Sequence, residues 1–147
     1  MFIRDAELLL ELERIALHPK HHIPAHFFRM LHADTGEELG SINLRVANTP
    51  HIKRYAGHIG YGVQPEHRGH HYAARSVRLL LPLAKELGLN TVWITCDPDN
   101  LASRRSCELA GAEFVEIVDV PPDCIIFQTG HPKKCRYRIV VTTKETK

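Results

Sequence analysis

The stretch Arg68-Gly69-His70-His71-Tyr72-Ala73 has the residue types that hold a phosphate, and it lies between a strand-like and a helix-like segment. A strand that feeds a tight loop opening a helix aims several unpaired backbone N–H groups, together with the positive end of the helix dipole, at one spot. Such a spot attracts phosphate. Arg68 adds a charged donor, and Gly69 lets the backbone come close to a ligand. Just upstream, Gly60 and Gly62 interrupt the run His58-Ile59-Gly60-Tyr61-Gly62-Val63, where side chains would ordinarily pack. Glycine inside a strand marks a bulge, or a place where a ligand or another backbone approaches. Downstream, Asp97-Pro98-Asp99-Asn100 supplies turn and N-cap chemistry for a short helix that carries Ser103 and Cys107.

Other groups able to do chemistry carry weaker patterns. Eleven histidines include two clusters, His18 with His21 and His22, and His67 with His70 and His71, but none has the spacing of a metal-ligand motif. No metal is expected. The four cysteines, Cys96, Cys107, Cys124 and Cys135, match no zinc pattern, and reduced thiols are expected. Lys133, Lys134, Arg136 and Arg138 form a basic edge that a nucleic-acid or protein-interaction module could use. The net charge of only +2 argues against a nucleic-acid partner. No apolar run reaches the ~20 residues that span a bilayer, and the first residues do not read as a secretory leader, so a cytoplasmic protein without a membrane partner is expected.

The elements that must position these groups follow from periodicity. With 147 residues, 44% hydrophobic and 24% charged, the chain has the size and composition of one folded domain. Residues 6–17 fit two patterns: Leu8, Leu12 and Ile15 share one face of a helix, while Leu8, Leu10 and Leu12 alternate with glutamates as in a strand. Residues 26–33 and 38–46 read as a hairpin around Asp34-Thr35-Gly36. A third strand is expected over 58–63. Ala73, Val77, Leu80, Ala84 and Leu87 then form the apolar stripe of a long helix stopped by Gly88, with Pro82 expected to kink it. Strands at 91–96, 114–120 and 135–142, a helix at 101–110 closed by Gly111, and an irregular connection over 121–134 complete the chain. The expected class is α/β (α+β), a mixed central sheet flanked by helices.

The two informative stretches resemble the GNAT superfamily of acetyl-CoA-dependent N-acetyltransferases. Its signature is Arg or Gln, two residues, Gly, one residue, then Gly or Ala, which is similar to 68–73 except that His71 stands at the central glycine. The stretch 97–112 resembles the family's Asn-x-x-Ser helix ending at a glycine. The resemblance covers roughly residues 57–118, and its likeness is greatest to the branch that includes ribosomal-protein N-terminal acetyltransferases.

The resemblance implies a GNAT fold in which the strands at 58–63 and 91–96 splay apart to admit the pantetheine arm of acetyl-CoA as co-substrate. It places Tyr61, Val63, Arg68, Gly69, His70, His71, Tyr72, Ala73, Asn100 and Ser103 around the cofactor. Many members carry a tyrosine acid where this chain has Cys107, so Ser103, or water, is expected to protonate the leaving thiolate, and Cys107 to be a small buried residue. His58, at the opening of the splay, is expected as the base that deprotonates the amine, with Glu66 and His67 as alternatives. Arg104 and Arg105 are candidates for the adenosine 3′-phosphate. The implied function is acyl-CoA-dependent transfer to a primary amine of a small molecule or a peptide N-terminus. An acyl-CoA-binding or regulatory domain without turnover is the alternative, and a homodimer is compatible with either.

Overall fold

The computed structural model describes residues 1–141, so Thr142, the end of the last expected strand, lies outside the described residues. The segment that fitted either helix or strand is strand. Leu8–Leu17 (β2) pairs on one side with Phe2–Asp5 (β1) and on the other with Pro24–His32 (β3). Leu8 and Leu10 are fully buried, whereas Ile15, which a helix would have turned inward beside Leu8, is 60% exposed. Glu38–Arg45 (β4) and Ile59–Val63 (β5) continue an antiparallel sheet in the order β1-β2-β3-β4-β5.

The helix predicted from the apolar stripe is Tyr72–Glu86 (α1), and it packs Ala74, Val77, Leu80 and Ala84 into the core against that sheet. It runs through Pro82 without a break. Pro82 and Arg78, whose carbonyl loses its partner, are both on the exposed side, where water can serve the freed carbonyl.

Thr91–Cys96 (β6), Glu113–Asp119 (β7) and Lys133–Val140 (β8) form a second antiparallel sheet, with β8 in the middle. The sheet expected from the sequence is thus present in two parts. Leu101–Leu109 (α2) packs on β6, β7 and α1, its N-terminus capped by the Asn100 side chain, which accepts from the Ser103 N–H at 3.1 Å. The connection after β7 contains a short helix, Ile125–Gln128 (α3). Its Ile126 joins Val120, Ile52 and Ala56 in a small apolar cluster that seats this connection on a π-helical turn, Ile52–Ala56.

The two sheets touch at one end of β5 and β6 and separate beyond it. His58 N–H donates to the Trp93 carbonyl at 2.6 Å, and Trp93 N–H donates back to His58 Nδ1 at 2.9 Å. Further along, β5 pairs only with β4 and β6 only with β8. Gly57 makes the contact possible: it has φ 77°, and a Cβ there would lie 3.0 Å from the Trp93 carbonyl oxygen. Because His58 Nδ1 accepts a backbone N–H, the ring proton sits on Nε2, which donates to Asn48 Oδ1 at 3.0 Å. The ring is fully buried, and burial pushes its pKa down to about 4.

The loop into α1 turns through Gly69 at φ 99° and His71 at φ 60°, ψ 31°. His71 therefore adopts the left-handed conformation that glycine takes without penalty. No side chain caps α1, so its first N–H groups remain available. The start of the helix is anchored instead by Arg75, which pairs with Asp5 at 2.7 Å and Glu7 at 2.9 Å, and by Tyr72, whose hydroxyl donates to Glu7 at 3.0 Å. The Arg75 hydrogen bond is the main reason the Glu7 carboxyl is held down at about 2.

His18 and His21 share the depressed basicity of His58, again chiefly through burial, at about 4 and about 3. All three bind a proton more readily unfolded, with an unfolded value near ~6.5, so their contribution is complete above that pH and is lost as pH falls towards 4 and below. Urea unfolding should show stability level above pH ~6.5 and declining below it. Replacing His58→Ala should cost about 2–3 kcal/mol at pH 7.5 by orphaning the Trp93 N–H, and should flatten the decline. Replacing His71→Gly should raise stability by about 0.5–1 kcal/mol by removing left-handed strain, read from the same urea midpoints.

Candidate active site

Where β5 and β6 diverge, two cavities open on opposite sides of one point. The first, about 420 Å³, lies between the end of β5, the 68–73 loop and α2. Of the residues expected at the cofactor, Tyr61, Val63, Arg68, Gly69, His71, Tyr72, Ala73, Asn100 and Ser103 line it. His70 does not; its ring lies against Tyr72 with centroids 5.2 Å apart. Gly62 is exposed, with open space where a Cβ would be, which leaves the β5 backbone accessible. Arg104 and Arg105 go opposite ways. Arg105 lines the cavity, while Arg104 donates to the Tyr137 hydroxyl at 3.0 Å and the Pro98 carbonyl at 3.3 Å. Glu66 is exposed and His67 pairs with Glu37 at 3.0 Å, both away from the cavities.

The second cavity, about 300 Å³, is bounded by β5, β6, the 18–21 turn and the loop after α3. It shares Tyr61, Asn100 and Ser103 with the first. At this junction the Tyr61 hydroxyl lies 2.8 Å from Ser103 Oγ, donates to the Ser103 carbonyl at 3.3 Å and is 3.7 Å from Cys107 Sγ. Cys107 is buried, as expected of a small residue in the core. Burial pushes the Tyr61 phenol well above its ordinary value, so it stays protonated and can donate.

His131 was not singled out from the sequence and Asp97 was read there only as a turn residue, yet both line this second cavity. His131 Nδ1 donates to the Asp97 carboxylate at 2.7 Å, which fixes the ring and leaves Nε2 as the nitrogen not engaged by Asp97. Burial raises the Asp97 carboxyl, but hydrogen bonds from His131 and Lys134 outweigh it and hold it below the ordinary range. No local signal marks the pair, because 34 residues separate them in the chain. His18 and His21 also face this cavity, with His21 Nδ1 2.8 Å from His51 Nε2. His58, the expected base, lines neither cavity; it is buried at the vertex with both ring nitrogens engaged.

The basic edge is neutralised where it stands. Lys133 pairs with Asp119, Lys134 with Asp97, Arg136 with Glu116 and Arg138 with Glu113. Among the described residues, no helix is long and apolar enough to cross a membrane.

Residues 6–113 match the family model for the acetyltransferase (GNAT) domain. A search of curated proteins finds no match to the sequence. Solved structures with similar folds include a GNAT-family acetyltransferase from Bacillus anthracis, 22% identical with TM-score 0.59, the match covering 78% of this chain and 66% of that one. The ribosomal-protein-S5-alanine acetyltransferase from Vibrio fischeri is 15% identical with TM-score 0.64, covering 83% and 64%. The ribosomal L7/L12 alpha-N-protein acetyltransferase, solved with coenzyme A, is 13% identical with TM-score 0.68, covering 95% and 98%. The chain thus spans slightly under two thirds of the length of the first two and nearly all of the third. With the split sheet, the uncapped α1 start behind Arg68 and a family model matching over most of its length, the chain belongs to the acetyltransferase (GNAT) family.

Proposed function

We propose that the protein transfers the acetyl group of acetyl-CoA to a primary amine by direct attack. One observation carries this reading: the cofactor-side and acceptor-side cavities meet at the Tyr61–Ser103 hydroxyl pair, so a thioester reaching the junction from one side can be met by an amine from the other. The pyrophosphate would rest on the free N–H groups at the start of α1 beside Arg68 and Gly69, with Arg105 positioned for a further phosphate. The pantetheine would use the β5 edge left unpaired beyond His58.

The acceptor reacts as a neutral amine, and His131 Nε2 is the acceptor-side lone pair able to take its proton. Asp97 orients the ring and stabilises the imidazolium. The amine nitrogen attacks the thioester carbonyl carbon, and the tetrahedral intermediate collapses with cleavage of the C–S bond. The leaving thiolate takes a proton from the Tyr61–Ser103 pair, giving free coenzyme A and the acetamide. His58 keeps the cleft open and has no free lone pair for the amine. Two similar structures are named as a ribosomal-protein-S5-alanine acetyltransferase and a ribosomal L7/L12 alpha-N-protein acetyltransferase, which supports including peptide N-termini beside small amines among the acceptors.

Thiol release from acetyl-CoA, followed across a panel of amines and peptides, is the direct test. Binding of acetyl-CoA with no release across the panel would leave an acyl-CoA-binding domain. With an active acceptor in hand, Tyr61→Phe and Ser103→Ala should each lower kcat by about 10²-fold or more, and the double variant little further, because the two act as one donor. His131→Ala should lose a similar factor at neutral pH and recover much of it at high pH, where the amine is already unprotonated. Unchanged turnover in any of these variants removes that residue from the mechanism.

A further inference from the structure

Arg45, the last residue of β4, lies in the floor of the acceptor-side cavity and is 8% exposed. Its protein partners are neutral. Nε donates to Asn43 Oδ1 at 3.0 Å, and Nη1 donates to the carbonyls of Ala56 at 2.7 Å and Gly57 at 3.1 Å. Among the described residues, no carboxylate pairs with this guanidinium and no acceptor meets Nη2. A buried charge is ordinarily paired, because desolvation without a counter-ion is expensive. The two carbonyls account for holding the group in place but not for its charge.

The fold also reserves space for it. A Cβ on Gly60 would lie 2.4 Å from Arg45 Nη2, so only a residue without a side chain lets the guanidinium lie against β5. That glycine, read from the sequence as room for the cofactor, instead admits Arg45 at the position next to Tyr61. The surrounding wall does not compensate the charge: His18 and His21 are neutral, Lys20 adds a second cation, and the one carboxylate, Asp97, is engaged by His131 and Lys134.

Resting on the acetyl-transfer reading, we infer that the acceptor carries a carboxylate beside the amine to be acetylated, and that Arg45 Nη2 binds it while the amine faces His131 and the Tyr61–Ser103 pair. A monoanion fits better than a phosphate dianion, since a single guanidinium nitrogen is left to receive it. A free amino carboxylate fits a cavity of about 300 Å³. An amino-terminal segment with an acidic side chain supplies the same group from a peptide.

The test separates anion binding from turnover. With coenzyme A present, the wild-type protein labelled with 15N is titrated with sodium propionate and, separately, propionamide, while the Arg45 Nε–H signal and the melting temperature are followed. Propionate should move the signal saturably and raise the melting temperature, and propionamide should do neither. Equal responses to both would overturn the inference without using activity. In the thiol-release assay, amino carboxylates of increasing chain length are compared with their primary amides, and acidic with amidated peptides. The carboxylate should be favoured by about tenfold or more in kcat/KM, and Arg45→Met should erase that preference. Gly60→Ala, which displaces the guanidinium without deleting it, should weaken the preference in the same direction. Turnover that ignores the carboxylate defeats the anion site and leaves the transferase reading standing. Saturable propionate binding with no thiol release from any acceptor defeats the transferase reading and leaves the anion site.

Discussion

The contact between His58 and Trp93 sets the shape of everything around the candidate site. Two sheets that hydrogen-bonded along their full length would bury the β5 and β6 edges and leave no cleft. Here the backbone bond and the imidazole bond tie them at one end, and beyond that point each strand has a neighbour on one side only. Unpaired strand edges are costly when buried, so the gap has to face water or a ligand that can hydrogen-bond. The vertex is braced from outside. Arg136 stacks over the Trp93 ring at 3.9 Å and donates to the Lys53 carbonyl, and the Thr95 hydroxyl donates to the Tyr55 carbonyl at 2.7 Å. The π-helical turn therefore joins both halves, and through Ile126 it also fixes the loop that presents His131.

How much of this could be read from the sequence depends on how local each feature is. The loop at 68–73, the stripe of α1 and the capped start of α2 are written in consecutive residues, and these elements fall where expected. Residues 6–17 fit both periods because their leucines satisfy each; the pairing with β1 and β3, which no local pattern reports, makes Leu8–Leu17 a strand. The basic residues near the end mislead for a related reason. On β8, Lys133, Arg136 and Arg138 stand opposite Asp119, Glu116 and Glu113 of β7, so a row of cations in sequence is a row of cross-strand ion pairs in space.

The site divides along the same line. The cavity between β5, the 68–73 loop and α2 is lined by two contiguous motifs, and the residues expected at the cofactor line it apart from His70. The other half of the site is assembled from the 18–21 turn, the end of β4, the end of β6 and the loop after α3, segments that meet only in the folded chain. His58 shows the hazard of reading chemistry from position alone. An imidazole at the mouth of a splay can be a base only if a lone pair faces the substrate, and the vertex needs that lone pair to hold the strands.

At position 107 the resemblance implied a tyrosine acid, and this chain has a thiol, a weak donor. The phenol of Tyr61 comes across from β5 instead and places its oxygen 3.7 Å from Cys107 Sγ and 2.8 Å from Ser103 Oγ. The small side chain at 107 on α2 leaves room for that ring. The proposed donor consequently sits on the same strand whose free edge would guide the pantetheine, so strand and acid would keep their register whenever the two sheets flex about His58.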